Sequence, residues 1–294
     1  MNKTKNSSIK KQKRIKLVLL YIFMSVLAAI FLFPMVWMIV NSTKSEAEIY
    51  SQLNTIQTFI PNFSNIANWL DNYVTLFADY NIWKYMLNSI FYSGMIAIGN
   101  VIISSLAGYA LAKYHFPGKK LIMGLVIGLV IVPIETTIIP LYTIMHNLGL
   151  TGTILAIIIP PIISVYNIFL FRQFFIGLPK EVEEAAMVDG ASKFKIYTHV
   201  IMPMSKPIVA TVATLAFIGG WNEYIWPIMV LPAPTGDGWP LYPIQAALNT
   251  IQQVQTVTQG QILASLTLTT IPLLVIYIMA QKYIVEGFTS SAIK

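Results

Sequence analysis

Few side chains in this sequence could do chemistry, and their pattern is restrictive. Two carboxylates, Glu135 and Glu223, fall inside long apolar stretches. An ionisable group in such surroundings is costly to keep and is a functional candidate on that ground. Glu223 stands among Trp221, Asn222, Tyr224 and Trp226. Aromatic faces beside polar groups suit a sugar, which is apolar over its ring faces and polar at its rim. The same residues equally suit an anchor at a membrane edge, where Trp and Tyr gather, or a structural or gating pair that holds Pro-interrupted helices. Beyond these acids the inventory is thin. There is no Cys, and the three His (His115, His146, His199) are scattered. That pattern offers no metal centre and no thiol nucleophile. No clustered nucleophile and base occur, so no catalytic residue is expected. No Gly-x-x-x-x-Gly-Lys-Ser/Thr phosphate loop is present, so any ATP-dependent work falls to another chain.

The elements that carry these residues follow from composition. The chain has 294 residues, 56% hydrophobic and only 11% charged, with a mean hydropathy of +0.66. A soluble domain carries about 25% charged residues, and disorder requires low hydrophobicity. Both are excluded. A membrane-crossing helix needs about 20 apolar residues, and six stretches qualify: Leu17 to Val40, Met86 to Ala112, Leu121 to Ile144, Thr153 to Phe171, Ile208 to Leu231 and Ile262 to Tyr283. The first is longer than the core of a secretory signal, and no small-residue cleavage pattern follows it, so it reads as an uncleaved span. Pro34, Pro133, Pro140, Pro160, Pro161, Pro227 and Pro272 fall within spans, where packed neighbours can re-satisfy the freed backbone groups.

The formal charge of +7 would suggest nucleic acid in a soluble protein, but the basic residues are sorted by loop. Seven precede the first span, three lie between the second and third, five between the fourth and fifth, and two at or beyond the sixth. Only Lys44 and Lys84 lie in the alternate set of loops. The positive-inside rule then puts both termini in the cytoplasm. The sequence predicts an all-α membrane protein with six transmembrane helices. Residues 1–16 form a basic cytoplasmic tail, 17–85 the first helix and an external loop, 86–284 the core transmembrane domain with a cytoplasmic loop at 172–206, and 285–294 a cytoplasmic C-terminal tail. At 22 and 25 Å along a helix from Lys120 and Lys206 (about 1.5 Å per residue), Glu135 and Glu223 are predicted at similar depth toward the outer side. The external segment Asn41 to Tyr85 reads either as a cap on the bundle or as part of a docking face. The second external segment, Pro232 to Gln261, reads as a loop with a short helix.

The cytoplasmic loop is the most informative stretch. Pro179 suits the start of a helix, and Glu181, Glu183 and Glu184 favour its first turns electrostatically. Gly190 suits the position just past its end. Ser192 can cap a second helix over roughly Lys193 to Ile201. Pro203 and Pro207 then turn the chain into the fifth span. His199 reads as a surface residue. Ala185 and Ala186 are small enough to allow close helix approach.

Here the sequence resembles the permease subunits of ATP-binding-cassette importers. Their signature is Glu-Ala-Ala, three residues, Gly, nine residues, Ile, one residue, Leu-Pro. This chain has Glu184-Ala185-Ala186, then Gly190 after three residues, Val200 after nine more, and Met202-Pro203 after one. The departures, Val for Ile and Met for Leu, are apolar swaps. Further along, Asn88-Ser89, Ala107-Gly108-Tyr109-Ala110, Phe116-Pro117-Gly118, Phe171-Arg172-Gln173-Phe174 and Trp221-Asn222-Glu223-Tyr224 are similar to the carbohydrate-uptake branch, the second permease of maltose-type systems in particular. So is Val285-Glu286-Gly287-Phe288-Thr289 with Ala292-Ile293-Lys294.

The resemblance implies a bundle of the type I importer kind in a bacterial inner membrane. It implies a loop (Glu184, Ala185, Ala186, Asp189, Gly190, Ala191, Pro203) that docks on an ATPase subunit, and a C-terminal contact with that subunit at Gly287, Thr289 and Lys294. It further implies partners: a second permease subunit, an ATPase dimer that binds ATP and Mg, and an external solute-binding protein. No cofactor is expected on this chain, and no nucleic acid. Glu135, Trp221, Asn222, Glu223 and Tyr224 are candidates for the solute path or a gate. The alternative functions are an ion-coupled secondary transporter using Glu135 and Glu223, or an importer permease for another polar solute such as glycerol phosphate.

Overall fold

The computed structural model describes residues 2–234 and 238–292, with side chains described over 13–133, 135–234 and 238–283. Every regular element among the described residues is helical. The chain divides into two compact units, residues 1–80 with 255–268, and residues 81–254 with 269–294.

The first unit begins with α1 (Asn2–Asn41), followed by α2 (Glu46–Gln52) and α3 (Asp71–Ala78). From Lys13 to Asn41, α1 has the length and apolarity to cross a membrane, and none of its most apolar stretch is buried. A helix that is hydrophobic all round and unburied belongs in lipid. Its C-terminal end closes on a polar cluster. Trp37 Nε1 donates to Thr58 Oγ1 at 2.9 Å, and Asn41 Nδ2 to the Thr58 carbonyl at 2.9 Å. The Asn72 amide donates to the carbonyls of Ser42 and Lys44, both at 2.9 Å. Lys44 is fully buried, and its ammonium donates to Gln52 Oε1 at 2.9 Å and to the Gln57 carbonyl at 2.8 Å. Burial pushes the Lys44 pKa down, against the charge of Glu48. A capping box starts α2: Ser45 accepts from the Glu48 amide, and the Glu48 carboxylate accepts from the Ser45 amide. The segment after α1 therefore folds around its own buried polar core.

The second unit is built on α4 (Ile82–Lys113). Around it lie α5 (Lys119–Ile131), α6 (Ile138–Asn147), α7 (Ile154–Ile162) and α8 (Val165–Ile176). The loop helices are α9 (Lys180–Val188), α10 (Lys193–Ile196) and α11 (Met202–Met204), and then come α12 (Lys206–Asn222), α13 (Ile225–Val230) and α14 (Ile244–Ile251). The last helix, α15 (Gln259–Ala292), contributes to both units. Gly108 lets α4 and α8 meet. A β-carbon there would stand 2.7 Å from Phe171 Cβ and 2.9 Å from the Arg172 amide nitrogen. Buried amides tie the helices where the chain is broken: Asn100 accepts from Asn167 Nδ2 at 2.8 Å and donates to the Pro161 carbonyl at 3.1 Å. Asn88, Ser89 and Tyr92 hold the strand-less stretch Pro240 to Ile244 against α4.

Among the described residues, four helical stretches are long and apolar enough to cross a membrane: Lys13–Asn41, Ile82–Lys113, Ile154–Ile176 (α7 and α8 together) and Gln259–Tyr283. The pair Lys193–Met204 and Lys206–Asn222, bent by 82°, makes up to five. Three expected spans are not single helices. The stretch Thr153 to Phe171 is interrupted at Ile163 (φ −98°, ψ 107°), between α7 and α8. The stretch Leu121 to Ile144 divides into α5, a 3-10 turn over Ile134–Thr137, and α6. Pro133 disfavours helix at the residue before it, and Val132 is extended (φ −73°, ψ 120°). The stretch Ile208 to Leu231 divides at Glu223 (φ −71°, ψ 127°). Pro227 lacks the N–H that the Glu223 carbonyl would accept, and its ring crowds that carbonyl.

Candidate functional site: a capped helix–turn–helix loop and two acids at helix breaks

The loop after α8 is built by local rules that the sequence announces. Pro179 occupies the cap position of α9, and Glu181 and Glu183 lie in its first turn. At the other end the Ala191 amide donates to the Ala186 carbonyl at 3.0 Å, and the Gly190 amide to the Met187 carbonyl at 3.0 Å. This pair of bonds is the Schellman closure, which needs a left-handed residue just past the helix. Gly190 supplies it with φ of +76°. The spacing Glu184-Ala185-Ala186-x-x-x-Gly190 thus has a physical meaning. Ala186 is the acceptor of the longer closing bond, Gly190 the left-handed residue, and Ala191 the donor. Ser192 then caps α10, accepting from the Lys195 amide at 3.3 Å. The second helix runs further than expected, through a π turn at Tyr197–Ile201 and through α11. It ends where Ser205 Oγ donates to the Ile201 carbonyl at 2.6 Å, before the bend.

The loop has two faces. Ala186, Ala191, Ile196, Tyr197 and Ile201 pack with Tyr109, Phe171, Phe175, Ile208 and Val212 in one apolar cluster. On the other side Glu184, Ala185, Asp189 and Gly190 are exposed. So are three large apolar residues: Met187, Val188 and Phe194. Val188 is 87% exposed, among the highest values in the chain for a large apolar side chain. Pro203 is exposed on α11, and His199 is exposed with its Nδ1 2.7 Å from Thr198 Oγ1.

Glu183 lies in the first turn of α9 as its sequence position predicts, but unlike Glu181 and Glu184 it also points inward and is 8% exposed. Its Oε1 lies 2.5 Å from Lys113 Nζ, and its Oε2 accepts from the Tyr109 hydroxyl at 3.5 Å. Acid–base spacing across some 70 positions carries no signal of this pairing.

Both candidate acids of the apolar stretches lie at breaks rather than inside continuous helices, which corrects the depth expected from helical rise. Glu135 is exposed on the 3-10 turn between α5 and α6. Glu223 is exposed between α12 and α13, where its Oε1 accepts from the Trp226 amide at 3.1 Å and so caps α13. Asn222 and Tyr224 beside it are exposed. Trp221 is not: it is fully buried, and its indole donates to the Thr269 carbonyl at 3.2 Å. Gly287 and Thr289 fall on the backbone of α15, their side chains outside the described residues; Lys294 lies outside the described residues altogether. Among the described residues no group of three or more His, Asp or Glu could hold a metal ion.

Residues 100–289 match the family of binding-protein-dependent transport system inner membrane components. The chain is 31% identical over 277 residues to the arabinooligosaccharides transport system permease protein AraQ of Halalkalibacterium halodurans, covering 94% of this chain and 96% of that one. It is 30% identical over 264 residues to the sn-glycerol-3-phosphate transport system permease protein UgpE of Escherichia coli, covering 90% and 92%. In fold it is similar to a chain in the crystal structure of a bacterial ABC transporter involved in the import of the acidic polysaccharide alginate. The TM-score is 0.77 at 23% identity, over 93% of this chain and 98% of that one.

The helical bundle, the apolar spans and the capped loop therefore define an importer permease. The chain belongs to the family of binding-protein-dependent transport system inner membrane components. It is a multi-pass inner-membrane subunit of an ATP-driven importer, and ATP is hydrolysed on a separate subunit. Family membership sets aside the reading of Glu135 and Glu223 as proton sites of an ion-coupled transporter.

Proposed function

We propose that this chain forms one half of the membrane channel of an importer for oligosaccharides or similarly polar solutes. It pairs with a second permease, receives solute from an external binding protein, and is driven by an ATPase dimer that binds ATP and Mg. The single observation that carries the mechanism is the two-faced loop from α9 to α11. Its apolar face is embedded in the cluster around Phe171 and Phe175. Its exposed face offers Glu184, Asp189, Met187, Val188 and Phe194, a concentration of apolar side chains at a polar surface that marks an interaction site. On this reading Glu184, Ala185, Ala186, Asp189, Gly190, Ala191 and Pro203 form the ATPase-docking loop, and Gly287, Thr289 and Lys294 add a C-terminal contact. Six crossings with both termini in the cytoplasm fit the sorting of basic residues. They also give the boundaries at 1–16, 17–85, 86–284, 172–206 and 285–294 their roles.

ATP binds the closed ATPase dimer better than the open one, and only that difference can shift the permease between inward-open and outward-open forms. The exposed acids Glu135 and Glu223, with Asn222 and Tyr224, sit where interrupted helices free backbone groups, and we assign them to the gate or solute path. The similarity to AraQ and to UgpE supports two solute classes. The paired aromatic and amide groups at Tyr224 and Asn222 favour the sugar. The test is uptake by proteoliposomes holding the full complex, offered labelled arabinooligosaccharide or glycerol 3-phosphate. Saturable oligosaccharide uptake is expected; uptake of glycerol 3-phosphate alone would replace the sugar reading.

A further inference from the structure

Three polar side chains of α4 stand one helical turn apart, and each of them holds the loop. Ser105 Oγ is 2.7 Å from the Tyr197 hydroxyl, on the π turn. Four residues on, the Tyr109 hydroxyl donates to Glu183 Oε2 at 3.5 Å. Four residues further, Lys113 Nζ pairs with Glu183 Oε1 at 2.5 Å and donates to the Leu178 carbonyl at 3.4 Å, just before α9. Residues at i, i+4 and i+8 lie on one face of a helix, so the three form a stripe along the end of α4. The ion pair is enclosed, with its two side chains only 10% and 11% exposed. Tyr109 is locked in turn by ring contacts with Tyr114, Phe175 and Tyr197.

This geometry bears on how motion leaves the loop. Glu183 and Glu184 are adjacent, yet one is buried against α4 and the other exposed. A force applied to the exposed face of α9 is therefore resisted by a charged contact on the opposite face of the same turn. Apolar contacts alone would let α9 slide along the cluster. A buried charge pair does not, because separating the partners strands a charge away from water. Chains of packed side chains, hydrogen bonds and ion pairs are one route by which coupling can pass between distant sites.

We propose that Lys113 and Glu183, with Tyr109 as their hydrogen-bonding support, are the positioning residues that lock the docking loop to α4 and pass its displacement into the bundle. The inference rests on the docking role assigned to the loop. It adds that the joint is ionic and lies on this stripe.

The test uses the full importer in proteoliposomes, reading solute molecules moved per ATP hydrolysed alongside the amount of ATPase that copurifies. Lys113→Glu and Glu183→Lys should each lower that ratio on the order of tenfold, the scale of a typical coupling energy, with ATP still hydrolysed. The double exchange should recover most of it. Tyr109→Phe and Glu183→Gln, which keep volume, serve where the reversals fail to assemble; Tyr109→Phe should lower the ratio about twofold, the worth of one modest hydrogen bond. A lower yield of complex with an unchanged ratio in the assembled fraction would overturn the proposal, since that is what a purely structural pair would give. So would an unchanged ratio in Glu183→Gln. If the wild-type permease fails to retain the ATPase at all, the docking reading fails instead, and the two failures are told apart by that control.

Discussion

Replacement of Gly190 isolates the backbone geometry of the loop from its contacts. Its φ is +76°, and a β-carbon added there would meet nothing within 4 Å. No neighbour resists a side chain, so the whole cost comes from the left-handed conformation. For an ordinary L-residue that cost is roughly 1–2 kcal/mol, and it is highest for a β-branched residue. The α9 helix has nine residues, below the length at which an isolated helix holds itself. The loop thus has little reserve against the loss of its closing bonds, Ala191 to Ala186 and Gly190 to Met187. A penalty of 1–2 kcal/mol reduces the closed-to-open ratio about 5- to 30-fold. In proteoliposomes with the ATPase and binding protein, transport per ATP should fall in the order Gly, Asn, Ala, Val, because Asn tolerates the left-handed region. The spans should remain inserted. Gly190→Val with wild-type coupling, or Gly190→Asn worse than Gly190→Val, would refute the reasoning.

Other sites give different signatures. Gly108→Ala should be costly for a different reason from Gly190→Ala. Its β-carbon would meet backbone and a Cβ at under 3 Å, so overpacking should cost about 1–3 kcal/mol and lower the melting temperature of the purified subunit. Glu223→Ala removes the cap of the Trp226 amide and should destabilise by about 1 kcal/mol, whereas Glu223→Gln keeps an acceptor; a transport loss in Glu223→Gln at unchanged melting temperature would assign the charge to the solute path. The Glu48 carboxyl is held below the usual carboxylate range, first by the Ser45 amide and then by Asn62, the Ser45 hydroxyl and Lys44, against its burial. Its contribution is complete above the unfolded pKa of about 4.3 and is lost as pH falls through the lower folded value. The protection of α2 amides against hydrogen exchange, taken relative to the intrinsic rate at each pH, should fall over that window in the wild type and not in Glu48→Gln.

What the sequence revealed was local in origin. Pro179, Gly190 and Ser192 each act within a few residues, so the helix, the turn and the second cap could be read directly. The lipid-facing character of α1 was equally legible, since it requires only length and composition. Two features were not. Whether a proline bends or breaks a membrane helix depends on which neighbours re-satisfy the freed groups. Breaks at Val132 and Glu223 moved both acids from helix interiors to helix ends. Glu183 and Glu184 are chemically identical in the sequence. Only the packing of α9 on α4 sends one to Lys113 and the other outward. Lys113 was legible as a topological charge and not as half of a buried pair. Trp221 likewise looked like an aromatic of a binding site, and its burial beside Thr269 could come only from the arrangement of α12 and α15.

On the proposed mechanism, this subunit moves solute only when an ATPase drives the loop between α9 and α11. The most direct measurement is initial uptake rate in proteoliposomes that contain the two permeases, with the ATPase and binding protein added or withheld and with ATP or a proton gradient as the energy source. Uptake is expected with ATP, ATPase and binding protein together, and none when any one is withheld. Uptake driven by the proton gradient without the ATPase would contradict it.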